Sequence, residues 1–320
     1  MTIQEAKIYG KSELTSSPTP ELDTAVLLQH ITGFDKTRLL LNRSTALTDE
    51  QESLFLSSID KRKTGLPVAY ITGHKEFFGY DFYVTPDVLI PKPDTELVVE
   101  LALAAIEDKF LTKTAVTVCD MCTGSGCVAL SIAKASEKLA GSSEQAEKQR
   151  VEIKFTLVDI SEKALAVARK NAERLIGTSE RSEQCPANNS SLHIANCSFV
   201  QSNLFENIPH SFDLIVTNPP YVPHEESLEL LKDGRSEPLL ALDGDVDEKG
   251  ESCGTNDGLA LIRRLVPQCY EHLNPNGVVI METGEYNAQT TADYAGTLGF
   301  SSEFHKDLEG QLRVVEMTSL

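Results

Sequence analysis

The stretch Phe212-Asp213-Leu214-Ile215-Val216-Thr217-Asn218-Pro219-Pro220-Tyr221 decides how the rest of the chain is read. Its first six residues form an apolar run of strand length, β-branched at Ile215, Val216 and Thr217, as a buried strand favours. Two prolines then stop it. Each locks φ at about −65° and lacks an N–H, so Pro219 and Pro220 offer only carbonyl acceptors. Asn218, ahead of a proline, is driven toward extended backbone. The result is a rigid corner at the carboxyl end of a strand, holding out a side-chain amide oxygen and a backbone carbonyl. Two acceptors in fixed relation suit a planar –NH2 group, whose two hydrogens need two partners. A Pro-rich turn that merely caps a strand fits these residues equally well when they are taken alone.

Outward from this corner, strands and helices alternate, the mark of a doubly wound, mostly parallel α/β sheet. Strands are expected at Ala115 to Asp120, Val151 to Val158, about Ser198 to Gln201, Phe212 to Thr217 and Gly277 to Glu282. Helices are expected at Val128 to Leu139, Glu162 to Ile176, Gly258 to His272 and Asn287 to Leu298. Two short strands, Ser302 to Lys306 and Arg313 to Met317, end the pattern as a hairpin-like pair. Polar segments at Lys138 to Arg150 and Thr178 to Ala195, and the acidic, Gly-rich Asp243 to Asp257, read as surface loops with no need to pack.

The first part of the chain differs. Residues 1–74 read as a small helical domain, with helices at Pro20 to Ile31, Asp35 to Leu41 and Thr48 to Lys63. Thr48-Asp49-Glu50-Gln51 has capping-box spacing, and Gly65 and Pro67 close that helix. No catalytic constellation lies here, so docking of a partner is the expected use. Residues 75–95 read as an aromatic-rich hairpin around Gly79-Tyr80 and a Pro-rich linker, Leu89 to Glu96, entering a helix at Leu97 to Ile106. Residues 96–320 then carry the alternating domain.

At 320 residues, two domains are expected. The net charge of −19, from 29 basic and 48 acidic residues, argues against a generic nucleic-acid binder, which needs clustered Lys and Arg. No apolar run approaches the ~20 residues of a membrane span, and no targeting segment is indicated, so a cytoplasmic, monomeric enzyme is expected. Of the seven cysteines, Cys119 and Cys122 have CxxC spacing, but no second pair follows. They read as small packing residues, and no metal is expected.

The chemistry gathers at strand ends. After the first strand comes Asp120-x-x-x-Gly124-x-Gly126, a glycine turn that lets backbone approach a ligand and aims a helix N-terminus at it. Asp159 ends the second strand, where a carboxylate can accept from two ribose hydroxyls; its bland alternative is a helix N-cap, a role Ser161 can fill. The loop lacks the third glycine of a pyrophosphate fingerprint and the Lys-Ser/Thr of a phosphate loop. Adenosine without phosphates fits better, and S-adenosyl-L-methionine (AdoMet) is the usual cofactor of that kind. His224, just after the proline corner, reads as a loop residue.

Many motifs in order resemble the release-factor glutamine methyltransferases, the HemK/PrmC family. They are Pro67-Val68-Ala69-Tyr70-Ile71-Thr72-Gly73, Phe77-Phe78, Phe82-Tyr83-Val84, Ile90-Pro91-Lys92-Pro93-Asp94-Thr95-Glu96 and Val158-Asp159-Ile160-Ser161 with Ala164-Leu165. Asn218-Pro219-Pro220-Tyr221-Val222, Glu237-Pro238 with Ala241-Leu242, and Lys306-Asp307-Leu308 complete the set. The resemblance implies the Rossmann-like AdoMet-dependent methyltransferase sheet with its last strand antiparallel. It implies transfer of the AdoMet methyl to the side-chain nitrogen of the glutamine in the Gly-Gly-Gln motif of class I peptide-chain release factors. By position, Cys122, Thr123, Gly124, Ser125 and Gly126 would lie along the methionine part of the cofactor, Asp159 on the ribose and Asn203-Leu204 near the adenine. Asn218, which would also border the cofactor, and the Pro219 carbonyl would hold the glutamine amide, with Pro220 and Tyr221 completing the substrate site. Cys122 stands where the family has glycine, Lys92 where it has arginine and Asn203 where it has aspartate. Rival readings are a ribosomal-protein glutamine methyltransferase, an adenine-N6 nucleic-acid methyltransferase and a non-catalytic scaffold of the same fold.

Overall fold

The computed structural model describes residues 1–110, 113–139, 151–177, 196–232 and 237–319, which fall into two compact units. The expected loop at Thr178 to Ala195, and most of that at Lys138 to Arg150, lie outside the described residues.

The first unit is Met1–His74, to which, among the described residues, 229–232 also belong. It holds α1 (Ile3–Glu13), α2 (Pro20–Thr32), α3 (Lys36–Leu41), α4 (Asp49–Lys63) and α5 (Val68–Thr72). The Thr48 hydroxyl and the Gln51 side chain cap α4 reciprocally, as the spacing predicts. Two helices, α1 and α5, were not anticipated. The buried stripe of α1 is thin, only Ile3, Ala6 and Gly10, so its periodicity is weak. Its capping box, Thr2 with Glu5, is the signal that could have found it. A side chain at Gly10 would meet the Thr24 side chain at 2.5 Å, so glycine is what lets α1 and α2 cross closely. Leu27, Leu28, Leu39, Phe55 and Ile59 fill the core of this unit.

The second unit begins with the hairpin β1 (His74–Phe77) and β2 (Tyr80–Tyr83), then α6 (Glu96–Ala105). The alternating part follows as β3 (Ala115–Met121), α7 (Cys127–Leu139), β4 (Glu152–Asp159), α8 (Glu162–Leu175), β5 (Cys197–Gln201) and β6 (Phe212–Thr217). After α9 (His224–Lys232) and α10 (Leu239–Leu242) come α11 (Ala260–Glu271), β7 (Leu273–Glu282), α12 (Ala288–Thr297), β8 (Phe300–Lys306) and β9 (Leu312–Ser319). The seven-stranded sheet has the order β5-β4-β3-β6-β7-β9-β8. Strands β3 to β7 run parallel, and β9 runs antiparallel to both β7 and β8.

Period-two alternation divides the sheet between two cores. Val116, Val118, Leu214, Val216, Val278 and Ile280 face one layer, with Val98, Leu130 and Ala168. Met121, Ile215, Val279, Met281 and Val315 face the other, with Ile262, Leu265 and Ala292. All six residues of β6 are buried. Its one charge, Asp213, accepts from Lys113 Nζ at 2.6 Å, Asn274 Nδ2 at 2.9 Å and the Thr117 N–H at 2.9 Å. Those contacts hold its carboxyl below the usual range against the opposing effect of burial.

Candidate active site

The order of the sheet reverses at its centre. From β3 the chain builds outward through β4 and β5, then crosses to β6 and β7 on the other side. Open α/β sheets have their crevice at the carboxyl ends of the strands at such a switch point. Met121 at the end of β3 lies opposite Thr217 at the end of β6, and the Thr217 hydroxyl donates to the Met121 carbonyl at 2.7 Å. The glycine turn and the proline corner therefore leave the sheet at one level. A cavity opens between them, lined by Cys122, Thr123, Gly124, Ser125, Asp159, Asn203, Leu204, Asn218 and Pro220. Gly126, Pro219 and Tyr221 are not on its lining.

The turn after β3 is tied down by carboxylates. Asp120 Oδ2 accepts from the Thr123 hydroxyl at 2.7 Å and from the Ala129 N–H at 3.2 Å. Burial pushes this carboxyl up to about 7 in spite of both bonds, and Asp159 adds to the rise. Asp159 Oδ2 accepts from the Gly124 N–H and Oδ1 from the Ser161 N–H, both at 2.9 Å. Burial raises the Asp159 pKa, opposed by those two N–H donors. The helix-cap alternative for Asp159 does not hold, because the Ser161 hydroxyl caps α8 by accepting from the Ala164 N–H. Gly126 has φ +79°, and a side chain there would press on Leu130 and Ala168, so it serves packing behind the turn. Cys122 has φ +62°, in the left-handed region that favours glycine. That geometry explains why the resembling family has glycine here, and spacing alone could not reveal it. Cys122 also packs against the apolar layer around Met121 and Val158, as its reading as a small packing residue expects.

Across the cavity, the Asn203 amide is engaged at both ends: Nδ2 donates to Glu206 Oε1 at 2.9 Å, and Oδ1 accepts from Arg264 Nη2 at 3.1 Å. Leu204 follows with φ +52°.

At the proline corner, Asn218 Nδ2 donates to the Thr95 hydroxyl oxygen at 3.1 Å. The amide oxygen is thereby left as the end available to the cavity. Tyr221 turns inward, its hydroxyl donating to Glu282 Oε1 at 3.0 Å. The segment read as a linker supplies this support. Asp94 pairs with Arg313 at 3.4 Å, Thr95 holds Asn218, and Glu96 Oε1 accepts from the Phe78 N–H at 2.9 Å. Lys92 Nζ donates to Glu237 Oε1 at 2.9 Å, and the same oxygen accepts from the Ile90 N–H. Sequence reasoning named these motifs but gave Thr95 no part in the site. A threonine at the entrance to a helix looks like a cap, and only the fold brings it to Asn218.

Two readings of the segments beyond the corner are corrected. The stretch Asp243 to Asp257 is a surface loop only in part: Asp243 to Val246 are buried, whereas Glu251 to Asn256 are exposed as expected. Asp245 is 0 % exposed and accepts from the Gly258 N–H at 2.6 Å, the Thr255 hydroxyl at 2.7 Å and the Ala260 N–H at 3.3 Å. An acidic, Gly-rich stretch can pack when its carboxylates satisfy its own backbone. Val246, Asp247 and Glu248 from this stretch line the cavity. His224 is not a loop residue either: it opens α9, with Nδ1 2.6 Å from the buried Asp243 carboxylate.

The cavity wall carries the carboxylates of Asp87, Asp120, Asp159, Asp243, Asp247 and Glu248, against the cations of Lys92 and Arg264, both engaged by protein partners. Such a lining suits a cationic ligand and repels a pyrophosphate. A sulfonium compound with an ammonium group and a phosphate-free nucleoside fits these residues. Among the described residues, no cluster of His, Cys, Asp or Glu could hold a metal ion, and no helix is long and apolar enough to cross a membrane.

Residues 5–73 match the family model of the PrmC N-terminal domain, and residues 112–296 match a methyltransferase domain. The chain is 32 % identical over 301 residues to the release factor glutamine methyltransferase of Borreliella burgdorferi, covering 94 % of this chain and 88 % of that one. It is 35 % identical over 291 residues to the protein of the same name from Koribacter versatilis, covering 89 % and 87 %. A solved structure of a release factor-specific protein-(glutamine-N5) methyltransferase from Alicyclobacillus acidocaldarius is 26 % identical, with a TM-score of 0.37 over 74 % of this chain and 99 % of that one. The residues at the switch point and these full-length relatives lead to one conclusion: the chain is an AdoMet-dependent methyltransferase and belongs to the release factor glutamine methyltransferase family.

Proposed function

We propose that this protein transfers the methyl group of AdoMet to the side-chain amide nitrogen (N5) of the glutamine in the Gly-Gly-Gln motif of class I peptide-chain release factors. It acts as a cytoplasmic monomer. The observation that carries the reading is the Asn218 amide, whose Nδ2 is spent on Thr95 so that Oδ1 is the end free for a substrate N–H. In this reading Cys122 to Ser125 run along the methionine moiety, with Gly126 packed behind them, Asp159 accepts from the ribose, and Asn203 and Leu204 border the adenine. AdoMet supplies a methyl already activated on sulfur.

The protein's task is to present a poor nucleophile. An amide nitrogen shares its lone pair with its carbonyl, so orientation matters most. Asn218 Oδ1 and the Pro219 carbonyl accept the two N–H bonds of the glutamine and turn the nitrogen's face toward the methyl. As positive charge grows on that nitrogen, both acceptors bind it more strongly, a gain concentrated in the transition state. The extra proton leaves after transfer, and no histidine base is needed. His224 is occupied by Asp243. The adenine-N6 nucleic-acid alternative is disfavoured by a carboxylate-rich wall that would repel a phosphate backbone.

The test is paired. Mass spectrometry of a release factor incubated with the protein and AdoMet should show one added methyl on the Gly-Gly-Gln peptide. Asn218→Ala should lower single-turnover methylation roughly 10²–10³-fold, as for loss of one preorganised hydrogen-bonding group. Its AdoMet affinity by calorimetry should stay close to native. Near-native turnover would remove Asn218 from the clamp.

A further inference from the structure

Asn218 can hold a substrate amide only if its own amide is the right way round. With the oxygen toward the cavity it accepts from an –NH2; with the nitrogen outward it would meet that –NH2 donor to donor. Such orientations are fixed by partners, not by shape, because the two ends of an amide are nearly isosteric. The partner here is Thr95, 2 % exposed, whose oxygen accepts from Asn218 Nδ2. A hydroxyl accepts readily but has one hydrogen, which must go elsewhere for this polarity to persist.

Thr95 stands at the N-cap of α6, where a threonine hydroxyl ordinarily accepts from the helix backbone. It makes no such bond. It faces the carboxyl group of Glu282, which is 1 % exposed at the end of β7. Glu282 Oε1 is taken by the Tyr221 hydroxyl, whereas Oε2 is buried with no hydrogen-bond partner. The unmet acceptor and the uncommitted hydroxyl hydrogen therefore belong to neighbouring side chains.

We propose that Glu282 is the positioning residue of the amide clamp: by receiving the Thr95 hydroxyl hydrogen at Oε2, its carboxylate fixes the Asn218 oxygen toward the substrate. The inference rests on the amide-clamp reading above. An ionised Glu282 only accepts, so every donor in the chain points at it. Once protonated it can donate to Thr95, whose hydrogen then turns to Asn218 and favours the reversed amide. Burial pushes Glu282 up to about 7, the Thr95 and Tyr221 hydroxyls and Arg313 oppose the rise, and Asp94 adds to it. Clamp polarity is thereby linked to pH.

The experiment uses the full chain with AdoMet and an intact release factor. In single-turnover methylation, Thr95→Val and Glu282→Gln should each lose about a hundredfold in rate. Calorimetric AdoMet affinity should stay within about threefold of native, since Asp159 and its bond to the Gly124 N–H are untouched. Thr95→Ser keeps the hydroxyl and should recover most of the rate lost in Thr95→Val. Loss of a helix cap cannot explain the defect, because no capping bond exists to lose. The native rate should fall as pH drops through about 7, and Glu282→Gln should abolish that limb. A native rate that is flat from pH 6 to 8 would overturn the proposal without any variant, as would near-native turnover in Glu282→Gln. If Asn218→Ala is inactive while Thr95→Val is not, the positioning chain falls and the function stands. If release factor gains no methyl from the native protein, the function itself falls.

Discussion

At the scale of single residues, conformation and charge decide what position 122 and position 159 can be. Cys122 has φ +62°, a cost of about 1–2 kcal/mol for a residue with a side chain. Glycine removes that cost but adds about 0.5–1 kcal/mol of unfolded-state entropy. Cys122→Gly should therefore melt within a few degrees of native, whereas the β-branched Cys122→Val should lose about 2 kcal/mol or more. Thermal melts of both variants check this, and equal stability would show that the backbone relaxes. Asp159→Ala removes the carboxylate that holds the Gly124 N–H and faces the cavity. It should weaken AdoMet binding roughly ten- to hundredfold, the worth of a charge-assisted bond. Unchanged calorimetric affinity would take Asp159 out of the site. Asp159 and Asn218 were legible in the sequence because each follows a strand, where type and position together carry chemistry. Thr95 and Glu282 were not, since each matters through a neighbour far away in sequence.

At the scale of elements, the sheet was legible almost strand by strand, because buried parallel strands are short apolar runs between helices of contrasting period. What stayed hidden was packing without an apolar signal. The acidic stretch from Asp243 is the clearest case. Its Gly258 has φ +71°, and a side chain there would lie 2.0 Å from the Tyr221 carbonyl. Gly244 is as tight, 2.2 Å from the Gly258 carbonyl by the same measure. The two glycines bring the stretch against the proline corner, and the Gly244 N–H donates to the Val222 carbonyl at 3.0 Å. Gly258→Ala should cost about 2–3 kcal/mol through strain and displacement, and it should lower methylation as the corner shifts. A denaturant titration with a rate measurement on the same sample tests both, and native values would show the corner to be independently rigid.

At the scale of the whole molecule, two buried carboxyls bias stability toward mild acid. Asp120 and Glu282 are both pushed up to about 7, chiefly by burial. A raised carboxyl pKa means that the folded state keeps a proton the unfolded state has lost. Its stabilising contribution is complete below the ordinary carboxylate range and disappears as pH rises through about 7. His30 acts the other way, its pKa lowered by burial and by His74. With Asp120 and Glu282, joined by the raised Asp159, set against His30, and a net charge of −19 that grows with pH, the melting temperature should be higher at pH 5.5 than at 7.5. Calorimetry at fixed ionic strength decides it; a lower value at pH 5.5 counts against both assignments. Residues 1–74, without catalytic groups, are proposed to dock the release factor. Their removal should raise KM for that protein and leave AdoMet binding in the remainder, and a native KM would exclude the role. The sheet order has one more consequence. Strand β9 lies between β7 and β8 and carries Arg313, which faces Glu282 and pairs with Asp94. A ribosome delivers β9 after the other strands of this sheet, so the nascent protein has an open edge at β7 and an incomplete clamp until β9 emerges. A chain truncated before Leu312 should be an inert, aggregation-prone product, not a weakened enzyme.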